Sequence, residues 1–446
     1  MLSIFGIFLS LFLLMYLAYR GISVILLAPL LAGLAVLMDG QLSLLGAYTE
    51  IFMQAMGGFA IKYFPIFLLG AVFGKLMEVS GFARSIALGL IKFFGAKRAT
   101  LSIVLSCGLL TYGGVSAFVV AFAVYPLAVE VFREAKIPKR LVPGAIALGA
   151  FTFSMTALPG TAQIHNIIPT TYFGTDANAA PWLGLVTGVL MLVAGVLFLD
   201  LRAAHAEKEG ESYGQHPETR RSIEAQNPHH ESSPFWLALL PILCVILLNN
   251  ILLGFVFPKW DLSFLESDLY GNTSASKVRG LWGMIVALFG ANLLVILLAF
   301  KKFRGRLSDV LGLGASGALL PTFNTGSEVG YGATIAVLGG FAAIRGGILS
   351  MVPDNPLFSQ ALSINVLSGI TGSASGGLSI ALKALGEEFL IRGQEAGISE
   401  EILHRVASLA CGGLDSLPHN GAVITLLTIC GLSHRESYFE IGVVSV

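Results

Sequence analysis

The chain consists of long apolar runs joined by short polar connections along nearly its whole length. About 20 consecutive apolar residues are needed to cross the hydrocarbon core of a bilayer, and many of these runs approach that length. A soluble protein could not bury so many of them. The pattern therefore predicts an all-α polytopic membrane protein, with long apolar segments at residues 2–19, 22–38, 51–78, 141–172, 181–200, 235–257, 280–300, 308–338 and 401–432.

Two pairs of shorter apolar segments lie between these runs. The first pair occupies 99–110 and 114–131, and the second occupies 356–370 and 375–391. Each member is too short to cross comfortably, and each pair meets at a tip rich in Gly and Ser. Such a pattern is typical of a re-entrant hairpin, which is tolerated at membrane depth only where protein or water covers its tip. We therefore predict two re-entrant helical hairpins, at 99–131 and 356–391.

An internal repeat relates the two halves of the chain. The tip sequence TYGGVS starts 48 positions before Pro159, and TGSASG starts 47 positions before Pro418. A hydrophilic linker at 201–234 separates the halves, and its composition predicts a solvated cytoplasmic loop. We therefore expect a first repeat at 1–200 and a second at 235–446. The repeat also predicts a partner for the segment at 181–200 that would begin near 441, so we expect a last helix that is missing from this chain.

The positions of the basic residues indicate how the two repeats are oriented. Five crossings and one hairpin form the first repeat, so the second begins on the opposite side and the repeat is inverted, as in many secondary transporters. With the N-terminus outside, 18 Lys and Arg residues are cytoplasmic and six are on the outer side, in agreement with the positive-inside rule. The outer six are Lys259, Lys277, Arg279, Arg345, Arg392 and Arg405. Within apolar segments, we interpret Lys62 and Lys75 as side chains that snorkel or pair.

Two of the long segments contain helix-breaking residues at matching places. Pro159 is followed by Gly160 in the segment 141–172, and Pro418 lies in the segment 401–432. Proline removes a backbone donor and clashes with the preceding turn, so each segment is expected to unwind near the bilayer midplane. A half-helix that starts there presents free N–H groups and a partial positive charge to an anion. The alternative is that each proline marks only a kink.

The two breaks and the two hairpin tips together predict a binding site for a carboxylate at mid-membrane. Neutral donors would bind the anion, and we expect no buried Arg, because a central cation is costly in a bilayer. The candidate substrate-binding residues are Tyr112, Gly113, Gly114, Ser116, Thr161, Gln163, Asn166, Gly372, Ser373, Ser375, His419 and Asn420. Ionisable residues within apolar segments are functional candidates, and those proposed to carry a coupling proton are Asp415, Glu328, His419 and His165.

Composition excludes several other classes of function. Only 12% of residues are charged and the net charge is zero, so nothing indicates a nucleic-acid partner. The four cysteines have no metal-binding spacing, and the sequence predicts no metal and no cofactor. No HExxH, GxSxG or pair of catalytic carboxylates occurs on the apolar segments, so we predict no catalytic residues and no enzymatic activity. Transport and channel functions remain.

The chain resembles the gluconate permease family of bacterial organic-acid transporters, within the ion transporter superfamily. The resemblance is carried by residues 113–115, 132–135, 140–149, 156–166 and 414–420. It implies proton-coupled uptake of a sugar acid or hydroxy acid across the bacterial inner membrane. It also implies a homodimer in which each subunit has a scaffold domain and a moving domain that contains both hairpins.

Two departures from family patterns refine this expectation. Residues 158–163 read LPGTAQ, where the members associated with gluconate have a Pro/His-rich stretch, which favours a smaller hydroxy-monocarboxylate such as 3-hydroxybutyrate. Neither tip carries the Ser-Asn-Thr sequence of sodium-coupled members of the superfamily, which favours a proton as the coupling cation. A sodium-coupled symporter and a passive organic-anion facilitator are the alternatives.

Overall fold

A computed structural model describes residues 2–20, 22–95, 98–214, 233–351, 355–418 and 420–446. These residues form an all-helical protein, and no strand occurs among them. His419 and residues 215–232 of the predicted linker lie outside the described residues. The expected all-α membrane fold is therefore confirmed at the level of secondary structure, while the inverted and re-entrant arrangement stays a prediction.

The first half of the chain contains eleven helices among its described residues. They are α1 (Leu2–Tyr19), α2 (Val24–Asp39), α3 (Leu44–Val79, with a π-helical turn at Ala47–Phe52), α4 (Phe82–Phe94), α5 (Ala99–Tyr112), α6 (Ala117–Glu134), α7 (Val142–Ala150), α8 (Phe153–Thr156), α9 (Ile164–Ile167), α10 (Thr170–Phe173) and α11 (Pro181–Lys208).

The described part of the second half contains ten more. They are α12 (Phe235–Lys259), α13 (Ala275–Leu298), α14 (Phe300–Phe303), α15 (Leu307–Ala336), α16 (Gly339–Met351), α17 (Pro356–Thr371), α18 (Ala374–Glu395), α19 (Glu400–Ala410), α20 (Gly421–Cys430) and α21 (His434–Ser445).

Four helices in the described part of the chain are long and apolar enough to cross a bilayer: α3, α11, α12 and α13. Their outer faces carry large apolar side chains; Trp182 on α11 and Trp236 on α12 are 78% and 72% exposed. A soluble monomer rarely exposes such continuous apolar faces, whereas lipid accommodates them. The predicted segment at 51–78 corresponds to α3, which begins earlier, at Leu44.

Two helices absent from the predicted spans, α4 and α16, precede the two hairpins. Each has 13 residues, which at 1.5 Å per residue reach about 20 Å and cannot cross the hydrocarbon core. In each half the short helix packs against the first arm of the following hairpin, so that α4 contacts α5 and α16 contacts α17. These helices therefore connect the long helices of each half to its hairpin.

Helix contacts follow one pattern in both halves of the chain. Helix α1 packs on α2 as α12 packs on α13, and α2 contacts α15 as α13 contacts α3. The long helices α3 and α15 pack extensively on each other. The hairpin arms α5 and α6 pack together, as do α17 and α18, and each first arm also packs on one helix that follows the hairpin in the chain, α7 or α19. Elements that correspond in the predicted repeat thus have corresponding neighbours, and the long helices of the two halves contact each other.

Candidate substrate-binding site

The first break is an unwound segment between α8 and α9. Helix α8 ends at Thr156 and α9 begins at Ile164, so residues 159–161 are not helical, as predicted. Gly160 has a φ of +77°, a conformation that glycine adopts without strain. Its N–H donates to the oxygen of Ala177 at 2.8 Å, and Thr161 Oγ1 donates to the oxygen of Ser154 at 2.7 Å. The unwound backbone is therefore held by the chain on both sides of it.

The tip of the first hairpin, residues 111–116, lies directly against this break. Tyr112 donates its hydroxyl proton to the oxygen of Pro159 at 2.7 Å. Gln163 Nε2 donates to the oxygens of Thr111 at 2.6 Å and Val115 at 3.3 Å. Gly114 has a φ of +97°, so the tip turns at a position that suits glycine. Two predicted site residues, Tyr112 and Gln163, thus join the tip to the break, and their side chains bind backbone oxygens.

Other first-half candidates occupy different surroundings. A side chain at Gly113 would clash with Ile242 of α12, so this glycine allows the tip to approach that helix closely. Ser116 caps no N–H group at the start of α6 and is partly exposed. His165 is buried in α9, and its Nδ1 has no hydrogen-bond partner in the described structure. No contact joins His165 to the carboxylate candidates among the described side chains.

The second break separates α19 from α20. It contains a single 3-10 turn at Leu414–Ser416, and α20 begins at Gly421. Asn420 caps that helix, because its Oδ1 accepts from the N–H groups of Ala422 at 2.6 Å and Val423 at 3.0 Å. Its Nδ2 donates to the oxygen of Gly372 at 2.8 Å and to Asp415 Oδ1 at 2.7 Å. Two of the N–H groups expected to face an anion are therefore occupied by Asn420.

Two carboxylates, the buried Glu328 and the partly buried Asp415, meet at the tip of the second hairpin. Ser373 caps α18 by accepting from the N–H of Gly376 at 3.1 Å, and its hydroxyl also donates to Glu328 of α15. Asp415 accepts from the N–H of Ala374. Glu328 is 4% exposed, and its Oε2 has no hydrogen-bond partner in the described structure. The tip is thus attached to Glu328 on a long helix of the core and to Asp415 in the second break.

Small residues allow this close contact between α18 and α15. A Cβ at Gly376 would overlap Glu328 Oε2, so only glycine leaves room for the carboxylate at this position. Next to Gly376 on α18, Ser375 Oγ lies 3.3 Å from Thr325 Oγ1, which is about one turn before Glu328 on α15. The sequence analysis did not anticipate this contact. Four polar side chains therefore form one group, in which Thr325, Glu328 and Ser375 are buried and Ser373 is partly buried.

The segments around the two breaks also contact each other. Ser408 Oγ donates to the oxygen of Thr156 at 2.7 Å, which joins the end of α8 to α19. Asn166 Oδ1 lies 3.2 Å from His404 Nε2, while His404 Nδ1 lies 2.7 Å from Thr175 Oγ1. Because the amide of Asn166 donates elsewhere, the network assigns the His404 proton to Nε2. The prediction that the breaks adjoin is consistent with these bonds.

Arg405 contradicts one expectation drawn from the sequence. The site was expected to contain no buried Arg. The Arg405 side chain is instead 0% exposed and donates to the oxygens of Ala179 at 2.8 and 3.1 Å, to that of Ala177 at 3.3 Å and to Asn166 Oδ1 at 2.9 Å. This expectation is wrong, because carbonyl groups of the non-helical segment before α11 solvate the guanidinium in place of water.

A weak signal of this burial is present in the sequence. Arg405 lies three residues after Ile402 and four before Leu409, which places it on an apolar face of α19. Asn365 is a second residue that sequence reasoning missed; its Oδ1 accepts from the N–H of Leu414 at 3.0 Å and ties α17 to the second break.

Comparisons with known proteins agree with this architecture. Residues 1–293 match the family model of the GntP family permease. The chain is 47% identical over 450 residues to the uncharacterized transporter YxjC of Bacillus subtilis (strain 168), which covers 99% of this chain and 95% of that protein. It is 27% identical over 348 residues to the high-affinity gluconate transporter of Escherichia coli (strain K12), covering 75% of this chain and 72% of that one.

A solved structure shares the fold. The YdaH transporter of Alcanivorax borkumensis superimposes with a TM-score of 0.54 over 89% of this chain and 85% of its own, at 16% sequence identity. The resemblance to the gluconate permease family is thereby confirmed, and the family and the relatives consist of transporters, not enzymes. The chain is a membrane transport protein that belongs to the GntP family of permeases.

Proposed function

We propose that this permease imports a small hydroxy-carboxylate by proton-coupled symport with alternating access. Membership in the family and a relative named as a gluconate transporter support an organic-anion substrate. A sugar acid such as gluconate and a smaller acid such as 3-hydroxybutyrate are the two candidate substrates. The bacterial inner membrane and a homodimer are the proposed setting.

The observation that carries the proposal is the contact of Glu328 with Ser373. Glu328 belongs to α15, which packs on α3 at the centre of the molecule, whereas Ser373 belongs to the hairpin tip. A charged carboxylate in the bilayer is costly, so a proton on Glu328 would favour movement of the tip past α15. The unpartnered Oε2 is a position where that proton could be held. Asp415, bound to the same tip, is the second candidate.

The repeated pattern of helix contacts supports alternating access. Helices α1, α2, α3, α12, α13 and α15 would form the scaffold, and the hairpins with the broken segments would form the moving unit. The second arms of the hairpins pack on the helices that follow the opposite breaks, so that α6 contacts α20 and α18 contacts α9 and α10. An inverted repeat produces such an exchange, and opposite tips would then open to opposite sides.

The geometry narrows the proposed substrate contacts. Three predicted contacts have side chains that bind backbone oxygens and hold the unwound segments in place: Asn166, Thr161 and Asn420. We propose that these three shape the site and do not contact the substrate. Ser116, the backbone of the tips and the groups around Ser373 and Ser375 remain as the proposed direct contacts. Backbone N–H groups and hydroxyls would then bind the carboxylate, as the sequence analysis expected.

Uptake by purified protein in liposomes tests the coupling. A pH gradient, acidic outside, should drive accumulation of labelled gluconate or 3-hydroxybutyrate, and a sodium gradient should not. Glu328→Gln should lose accumulation driven by the pH gradient and keep exchange of internal for external substrate, because exchange needs no net proton movement. Asp309→Asn, an exposed carboxylate of the same helix, is the control and should behave as the native protein.

Each alternative corresponds to a distinct outcome. Accumulation driven by sodium alone would establish a sodium-coupled symporter. Equilibration without accumulation under either gradient would establish a passive facilitator. Normal proton-driven accumulation by Glu328→Gln would exclude Glu328 as the coupling residue and direct attention to Asp415.

A further inference from the structure

Three lysines on three different helices lie around Tyr172 of α10. Tyr172 lines the same cavity as Lys277, and it lies against Gly386, about one turn after Lys383 on α18. Lys62 lies on α3, Lys383 on α18 and Lys277 at the start of α13, and all three are exposed. The ammonium of Lys62 is 5.5 Å from the ring centre of Tyr63 and 5.7 Å from that of Tyr172. Aromatic faces stabilise a cation without neutralising its charge. We call these three side chains the lysine cluster.

Among the described residues, the lysine cluster includes no carboxylate. The charges of Lys277 and Lys383 both repel that of Lys62. Within the described part of the chain, none of the three is within ion-pair distance of a carboxylate. By contrast Lys75, on the same helix as Lys62, lies 2.8 Å from Glu78 Oε1. The expectation of pairing therefore fits Lys75, whereas Lys62 has no carboxylate partner among the described residues.

A cavity of about 480 Å³ opens next to the cluster, between α10, α13 and the end of α18. Lys277 and Arg279 line one side of it. Three acidic residues also line the cavity: Asp176 in the segment before α11, and Glu400 and Glu401 at the start of α19. Each of these carboxylates accepts a backbone N–H, so hydrogen bonds already satisfy part of its charge. The side of the cavity nearest the lysine cluster is therefore the positive one.

The cluster lies on a polar line that leads to the second hairpin tip. Lys383, Ser379 and Ser375 are spaced by four residues on α18 and so share one face of the helix. At 1.5 Å per residue, Lys383 is about 12 Å from Ser375 and about 16 Å from Gln394 at the rim of the cavity. Ser379 is 2% exposed, and its hydroxyl has no partner in the described structure. Lys383 is thus midway between the cavity and the tip.

We propose that Lys62 and Lys383, assisted by Lys277, form an entry subsite that captures the carboxylate of the substrate before it reaches the second tip. This inference rests on the proposed transport of an organic anion and adds where the anion first binds. The cluster acts on capture and not on the coupled movement. A cleft lined by one sign of charge raises the local concentration of the opposite ion and its rate of arrival.

The subsite is tested by measuring the initial rate of uptake into liposomes that contain no substrate. The substrate is added on the side of the membrane to which the cavity beside the lysine cluster opens. Lys62→Gln and Lys383→Gln should each raise KM about three- to fivefold, the effect of one unit charge some 8 Å from a carboxylate at intermediate dielectric constant. The kcat should change less than about twofold. Lys62→Arg should leave KM near the native value, because it keeps the charge. Lys75→Gln is the matched control on the same helix and should leave both constants unchanged.

The salt dependence of kcat/KM gives a second test, because a purely structural role of the lysines would not change it. Raising an impermeant, carboxylate-free salt to about 0.3 M shortens the screening length below 10 Å and should lower kcat/KM of the native protein. The Lys62→Gln, Lys383→Gln double variant should lose most of that salt dependence. Equal KM values and equal salt dependence in native and double-variant protein, both of which transport, would overturn the subsite. Absence of carboxylate transport by native protein would instead overturn the proposed function.

Discussion

The burial of Arg405 leads to a prediction about which substitution is worse at this position. The guanidinium donates four hydrogen bonds to three neutral acceptors, and no carboxylate is within ion-pair distance among the described residues. Arg405→Lys keeps the charge but replaces a planar fork with a single ammonium, which cannot reach all three acceptors. Arg405→Gln removes the charge together with most of the bonds. We expect the lysine variant to be at least as unstable as the glutamine variant.

The magnitudes follow from the partners that remain. Without the guanidinium, Ala177 O keeps the N–H of Gly160 and the amide of Asn166, and Asn166 Oδ1 keeps His404. Only Ala179 O loses both of its side-chain donors, which costs about 1–3 kcal/mol. In Arg405→Lys, a buried cation with too few acceptors adds a cost that brings the loss to about 3–5 kcal/mol.

Heating purified protein in detergent and measuring the fraction that remains monodisperse gives the comparison. The midpoint for Arg405→Lys should fall by roughly 5 °C or more. Arg392→Gln, which removes a half-exposed pair with Glu388 at 2.7 Å, is the control and should change stability by less than about 1 kcal/mol. A lysine variant as stable as native protein, or clearly more stable than the glutamine variant, would contradict this prediction, since the charge alone would then suffice.

Three further predictions concern packing, capping and pH. Gly149→Ala should destabilise by about 1–3 kcal/mol, because its Cβ would overlap the oxygen of Val104, whereas Gly317→Ala meets no atom within 4 Å and should be neutral or stabilising by thermal midpoint. Asn420→Ala should cost about 1–2 kcal/mol and speed hydrogen exchange in the first turn of α20. The hydrogen bond from Arg140 lowers the pKa of Glu211. The Arg140–Glu211 pair should therefore stabilise the fold above about pH 4.3 and lose that effect as pH falls through the lowered pKa. The stability of Glu211→Gln should change less over the same pH range than that of the native protein.

The positions of the apolar segments and both breaks could be predicted because each depends on local chemistry. A run of apolar side chains favours lipid wherever it lies, and Pro159 and Pro418 interrupt a helix whatever surrounds them. The sequence analysis also expected the hairpin tips and the breaks to meet. Hydrogen bonds of Tyr112, Gln163 and Asn420 join each tip to the break that follows it in the chain.

The roles of individual side chains could not be obtained in the same way. Asn166 and Thr161 were predicted as substrate contacts, yet their polar groups bind backbone oxygens of the unwound segment. Whether a polar group is free depends on the backbone opposite it, and non-helical backbone has no periodic pattern that a sequence could reveal.

That this protein is helical, lies in a membrane and contains two interrupted segments follows from the sequence alone, because hydrophobicity and proline act over a few residues. The folded structure is needed to show that Arg405 is buried and that Glu328 contacts Ser373. It is also needed to show that Lys75 pairs with a carboxylate while Lys62 has none among the described residues. The physical reason is that the energy of a charge depends on the groups within a few ångströms, and packing between distant parts of the chain selects those groups.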